Sequence, residues 1–153
     1  MKKTSDLEEF LRSKAEPHAR PQVQPEIDWE GRKKQWLKNI ADLHALIRKW
    51  LAPLQREGVL SLQTKRIKLQ EEQVGSYEAD ALWIFVGKHE VALVPMGTFI
   101  VGAQGRIDIR STTAARTIIF NDGKWSLIER TPKLKFLPFN ESSFRDALSE
   151  VME

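Results

Sequence analysis

The chain has 153 residues, of which 41% are hydrophobic and 29% charged, with a net charge of +3 and no cysteine. That length fits one domain, or one domain with an appendage, and the composition is neither that of a disordered chain nor that of a fibrous one. The absence of thiols excludes disulfides, cysteine nucleophiles, thiolate zinc sites and iron–sulfur clusters.

Residues 1–27 open with a short helical signal. Ser5 can cap it, Glu8 completes a capping box, and Leu7, Phe10 and Leu11 form a small apolar face. Pro17, Pro21 and Pro25 follow at intervals of four. Each proline lacks a donor and clashes with the preceding turn, so this stretch reads as an extended linker. The single α+β domain is expected over residues 28–153.

The strongest periodicity lies in residues 28–57. Trp36, Ile40, Leu43, Ile47, Trp50 and Leu54 recur at alternating steps of four and three, with Trp29 seven residues ahead of Trp36. Asp28 is a suitable N-cap, Pro53 should stop or kink the helix near Ala52, and Gly58 suits the position past its end. The spacing predicts a helix over 28–52 with a further turn to 57.

From Val59 to Phe139 the period changes to two. Val59, Leu60 and Leu62 are followed one position out of phase by Ile67 and Leu69, which predicts a bulge or break near Lys65-Arg66. Ala81–Val86 is a continuous strand-like run, turned by Gly87-Lys88 into His89–Val94. Pro95-Met96-Gly97 is expected to turn the chain again into Thr98–Val101. Arg106–Arg110 continues the pattern, and Asn121-Asp122-Gly123 joins Thr117–Phe120 to Lys124–Glu129 as a hairpin.

The C-terminus returns to helix over 140–152. Asn140 is its N-cap, Phe139 and Phe144 make a hydrophobic staple, and Ala147, Leu148, Val151 and Met152 extend the apolar face. The expected fold is therefore α+β: a long amphipathic helix packed on a curved antiparallel meander of six or seven strands, with a short C-terminal helix.

No segment carries a catalytic signature. Gly97 and Gly102 have the glycine spacing of a P-loop, but Ala103-Gln104 stands where lysine and serine or threonine are required. His18, His44 and His89 lack metal-ligand spacing, and His44 reads as a hydrogen-bonded structural histidine. Glu71-Glu72 reads as a charged turn or edge. No catalytic residue, cofactor or metal is expected.

Three readings of binding remain. A helix of 25 residues is about 37 Å long, against a diameter of about 38 Å for a compact chain of this size. Short strands should leave part of the ridge of Trp29, Trp36 and Trp50 uncovered. The leading expectation is a non-enzymatic interaction or assembly module using that ridge, its partner another protein or a second copy in a homodimer. The alternative is a small-ligand binder or enzyme on the concave face of the sheet. There Arg106, Asp108 and Arg110 alternate with Ile107 and Ile109, as an anion-reading strip or as a solvent-facing ion pair. The third, nucleic-acid binding by Arg32, Lys33, Lys34 and Lys38, is disfavoured, because Asp28 and Glu30 adjoin the run and no basic–aromatic array is visible.

The N-terminal residues after Met1-Lys2-Lys3 form no apolar leader, and the uncharged stretch Val91–Gly105 is broken by Pro95, Gly97 and Gly102. It falls short of the roughly 20 apolar residues of a membrane span, so a soluble cytoplasmic protein is expected.

Overall fold

The structure, a computed structural model, describes residues 28–98, 104–130 and 132–153. The short helix and linker expected over 1–27 lie outside the described residues, as does most of the strand expected over Thr98–Val101. Helix α1 spans Trp29–Arg56, and strands β1 to β7 span Ser61–Glu71, Gly75–Val86, His89–Gly97, Gly105–Arg110, Ala115–Asn121, Lys124–Glu129 and Lys135–Pro138. Helix α2 spans Glu141–Met152. The seven strands form one antiparallel sheet in sequence order, with β1 and β7 at its edges. Among the described residues no helix is long and apolar enough to cross a membrane.

The Asp28 side chain caps α1 by accepting the Gly31 N–H at 2.9 Å. Pro53 does not end the helix, which runs one turn further to Arg56. A proline this near the terminus removes only one ladder bond, and the turn beyond it supplies others. Gly58, at φ 77°, reverses the chain, and the Val59 N–H reaches the Leu54 carbonyl at 3.0 Å.

The hairpins follow local turn chemistry. Val86 pairs with His89 across Gly87-Lys88, and Asn121 pairs with Lys124 across Asp122-Gly123. Gly87, Asp122 and Gly123 have φ of 58°, 51° and 75°, as two-residue hairpin loops demand. At the C-terminus the Asn140 side chain accepts the Ser143 N–H, and the Ser143 hydroxyl receives the Asn140 N–H, both at 2.9 Å. Phe139 and Phe144 meet edge to face, 5.9 Å between ring centres.

Two local expectations are overturned. No bulge interrupts β1, whose pairing with β2 runs unbroken from Ser61↔Phe85 to Glu71↔Gly75. Instead the buried face switches on the two strands together. Leu62 opposite Ile84 faces the core on one parity, whereas Ile67 opposite Ala79 and Leu69 opposite Tyr77 face it on the other. The cause is that β2 pairs with β3 only from Leu82 to Val86. Beyond that point β1 and β2 pair only with each other among the described residues, and two-stranded ribbons twist strongly. The second correction concerns Pro95-Met96-Gly97, which makes no turn. It lies within β3, where the register to β4 shifts between Pro95 and Gly97. A proline is tolerated in a strand at such an irregularity.

The hairpin tip is pinned to the end of β3 by Glu71. Its carboxylate accepts the Thr98 N–H at 2.9 Å, the Thr98 hydroxyl at 3.0 Å and the Tyr77 hydroxyl. Burial pushes the Tyr77 phenol up, and the Glu71 carboxylate adds to the shift. Glu71 thus ties two strands together, rather than being the exposed charge read from its place beside Glu72.

The helical ridge is sheltered because the sheet curls around it. Trp36 lies on Gly105 of β4 and 6.2 Å from the Trp125 ring of β6. Further along α1, Arg48 donates to the Thr64 hydroxyl of β1 at 2.6 Å. Two residues on, Trp50 sits 5.7 Å from Phe139, just past β7, and 5.7 Å from Phe144 of α2. One helix thus meets chain from both edges of the sheet and from its middle. Ile40, Leu43, Ile47 and Leu51 are buried with Leu82, Ile84, Leu93, Ile107, Ile109 and Ile118 in one core. Helix α2 joins from the same side, through Phe144 and an ion pair between Glu150 and Arg116.

Candidate interaction surface on the open side of the sheet

Successive strand residues point to opposite faces. Ile107 and Ile109 are fully buried on the helix side, so Arg106, Asp108 and Arg110 point away from both helices. Both helices pack on the face that buries Ile107 and Ile109, and the polar strip lies on the other side.

On that side, open in that it carries no helix among the described residues, Asp108 is only 5% exposed. It accepts Arg106 Nε at 2.9 Å, Arg106 Nη2 at 3.1 Å and the Thr117 hydroxyl at 3.0 Å. Hydrogen bonding to Asp108 raises the Arg106 guanidinium above its ordinary value, against the opposing effect of its partial burial. Asp108 stands in a row of paired residues: Val94, Asp108, Thr117, Ile128 and Phe136 lie level across β3 to β7. A carboxylate among such neighbours is held by its partners. Two of the donor nitrogens of Arg106 are therefore already engaged, while Arg110 is exposed beyond the pair.

The tryptophans divide along α1. Trp36 is 2% exposed and seated against its own sheet. Trp50 is half-buried between Phe139 and Phe144. Trp29 is half-buried, with the Arg32 guanidinium 5.4 Å from its ring centre. The basic run beside it is locally compensated, since Lys33 pairs with Glu30 at 2.9 Å and Lys38 with Asp42 at 3.0 Å. Those side chains contact their own helix, an arrangement that contributes only a few tenths of a kcal/mol per pair.

His44, the structural histidine expected on α1, is buried there, and its Nε2 is left without a partner. Burial lowers its pKa to about 4, with Asp80 opposing and Arg48 reinforcing the shift. Among the described residues no three His, Asp or Glu side chains converge as a metal site requires.

The feature missed in the sequence is at the far edge. Leu134 and Phe136 are 59% and 58% exposed, the highest values for large hydrophobic side chains among the described residues. They share one parity beside and within β7, and Phe136 lies opposite Ile128 of β6 on the open side. A hollow of about 450 Å³ adjoins Phe136, lined also by Ile119, Asn121, Asp122, Lys124 and Ser126.

Backbone geometry adds to this corner. The Phe139 N–H donates to the Trp125 carbonyl at 3.3 Å. Antiparallel pairs alternate between bonded and non-bonded. With Trp125/Phe139 bonded, Leu127/Leu137 and Glu129/Lys135 are bonded too, and Ile128/Phe136 and Ser126/Pro138 are the non-bonded pairs. The Phe136 N–H and C=O therefore point outward, and so does the Pro138 carbonyl. Pro138 sits where its missing N–H costs β6 nothing. Among the described residues β7 has no neighbour beyond β6.

Comparison with known proteins adds no assignment: no family model matches the chain, and no curated protein or solved structure is similar to it.

Proposed function

We propose that the protein is a non-enzymatic interaction module, and that its contact surface is the β6–β7 corner of the open sheet face rather than the helical ridge. One observation carries this reading. Two large apolar side chains lie more than half exposed, Phe136 within the edge strand β7 and Leu134 just before it, and the outer backbone groups of β7 have no partner among the described residues. Natural sheets blunt their edges with charge, proline or short length. The opposite edge strand, β1, does so with Lys65, Arg66 and Lys68. Strand β7 is short and carries Pro138, yet it offers Leu134 and Phe136 to solvent. Exposed apolar side chains beside unpaired edge backbone suit an extended partner.

The ridge gives less support for association, since Trp36 and Trp50 are engaged within the chain. Ligand binding or catalysis by Arg106, Asp108 and Arg110 has less support as well, because Asp108 already occupies the Arg106 fork.

A photoreactive phenylalanine analogue placed at position 136, with a control at exposed Lys49 on α1, tests the reading in cells that carry the gene. Irradiation is expected to give a discrete adduct from position 136 and none from position 49. No adduct from 136, or the same adduct from both, would overturn it.

A further inference from the structure

The partner of this corner can be specified further, an inference that rests on the reading above. We infer that β7 accepts an extended strand of alternating apolar and acidic residues, added edge to edge. The outer backbone groups set the hydrogen bonding. Phe136 offers both an N–H and a C=O, so one residue of the incoming strand can exchange two hydrogen bonds with it. Pro138 offers only its carbonyl, so the strand must donate there and receives nothing back.

Parity sets the side chains. Strand residues opposite Leu134 and Phe136 lie on the same face as those side chains, where apolar groups extend the exposed patch outward from Phe136, on the side away from the hollow over β5 and β6. Residues between them lie on the opposite face, beside Lys133 and Lys135. The charge of this edge is one-sided: Arg130, Lys133 and Lys135 are exposed, against Glu129 alone. Opposite charges across a strand pair are favourable and like charges unfavourable.

The same charges argue against a second copy as the occupant. Two β7 strands paired about Phe136 would bring two sets of Lys133 and Lys135 onto one face. Each Leu134 carbonyl would also face a Pro138 that has no N–H to donate.

The test uses three synthetic peptides of about six residues: an alternating glutamate–valine sequence, its lysine–valine counterpart, and the acidic sequence with its central amide N-methylated. Binding to the full chain is followed by NMR, together with hydrogen exchange at the Phe136 amide. The acidic peptide is expected to bind and to slow exchange at that amide. The lysine peptide should bind at least about tenfold more weakly, and N-methylation should abolish the protection. The Lys133→Glu/Lys135→Glu variant should reverse the preference between acidic and basic peptides. Lys135 lies opposite Glu129, so the NMR spectrum of the variant first checks that β6 and β7 remain paired, and the preference is read from the paired form.

Equal binding of the acidic and basic peptides would overturn the inference. So would unchanged exchange at Phe136 under saturation, or protection of that amide by self-association of the free chain. If position 136 crosslinks in cells while the acidic peptide has no preference, the surface stands and the assigned occupant falls. If neither occurs, both fall.

Discussion

Trp36→Ala is expected to cost about 4 kcal/mol of unfolding free energy, the largest loss of any single substitution considered for this chain. The indole is 2% exposed and fills the space over the β4 backbone, where Gly105 leaves room for it. A Cβ at position 105 would lie 2.2 Å from Trp36 Cζ3 and 2.5 Å from Cε3. Those atoms belong to a rigid ring clamped by Trp125, not to the end of a flexible side chain. Gly105→Ala should therefore cost about 3 kcal/mol, at the upper end of overpacking. The two substitutions should not add. In the Trp36→Ala background the new methyl group enters a cavity, so Gly105→Ala should cost at least about 1 kcal/mol less than it does alone. Urea denaturation of the four proteins measures this directly. Costs that add to within about 0.5 kcal/mol would mean that the indole and the glycine do not touch.

Acid should destabilise the protein through His44. Its pKa falls from 6.5 to about 4 on folding, because burial disfavours the imidazolium. A folded-state pKa below the unfolded one means that protonation favours the unfolded chain. The contribution is full above about pH 6.5 and is lost as pH falls towards 4. Linkage gives a loss of about 2 kcal/mol between pH 7.5 and pH 5, approaching 3 kcal/mol at pH 4. The charged groups acting on His44 are Asp80, which favours the proton, and Arg48, which opposes it. His44→Leu removes both the titration and the Nε2 left without a hydrogen bond. Its unfolding free energy should be nearly flat between pH 7.5 and pH 5, where the parent chain declines. Parallel curves for the two proteins would assign the acid sensitivity elsewhere.

Much of the fold was legible because local chemistry and tertiary structure agree. Asp28 caps α1, the ridge from Trp36 to Leu51 is the buried face, and Gly87 and Gly123 make the turns their conformational freedom suits. Asn140 and Phe144 likewise start and seat α2. What could not be read is long-range geometry. The length argument for an uncovered ridge treats the sheet as a platform no wider than its strands are long. The sheet instead curls, so that β1, β4, β6 and the segment after β7 all reach α1. The phase change near Lys65 mimics a bulge because a twisting ribbon and an inserted residue leave the same imprint on hydrophobic order.

The candidate site was less legible than the fold. Strand β7 has four residues, one of them proline, and in the run Lys133-Leu134-Lys135-Phe136 that leads into it apolar side chains alternate with lysine. In sequence that pattern is indistinguishable from an exposed loop. Only its pairing with β6 shows that Leu134 and Phe136 occupy an edge. The Arg106–Asp108 pair was visible as an alternating strip, but whether it faced the helices or away from them depended on which residues of β4 reach the core.

The most direct measurement is the unfolding midpoint over about a hundredfold range of protein concentration. If α1 is sheltered by its own chain, and the β6–β7 corner does not pair with a second copy, the midpoint stays constant. A ridge covered by a second copy would instead add about 2.7 kcal/mol per dimer, or about 1.4 kcal/mol per chain, across that range, by mass action. A midpoint that climbs with concentration in this way would contradict the account.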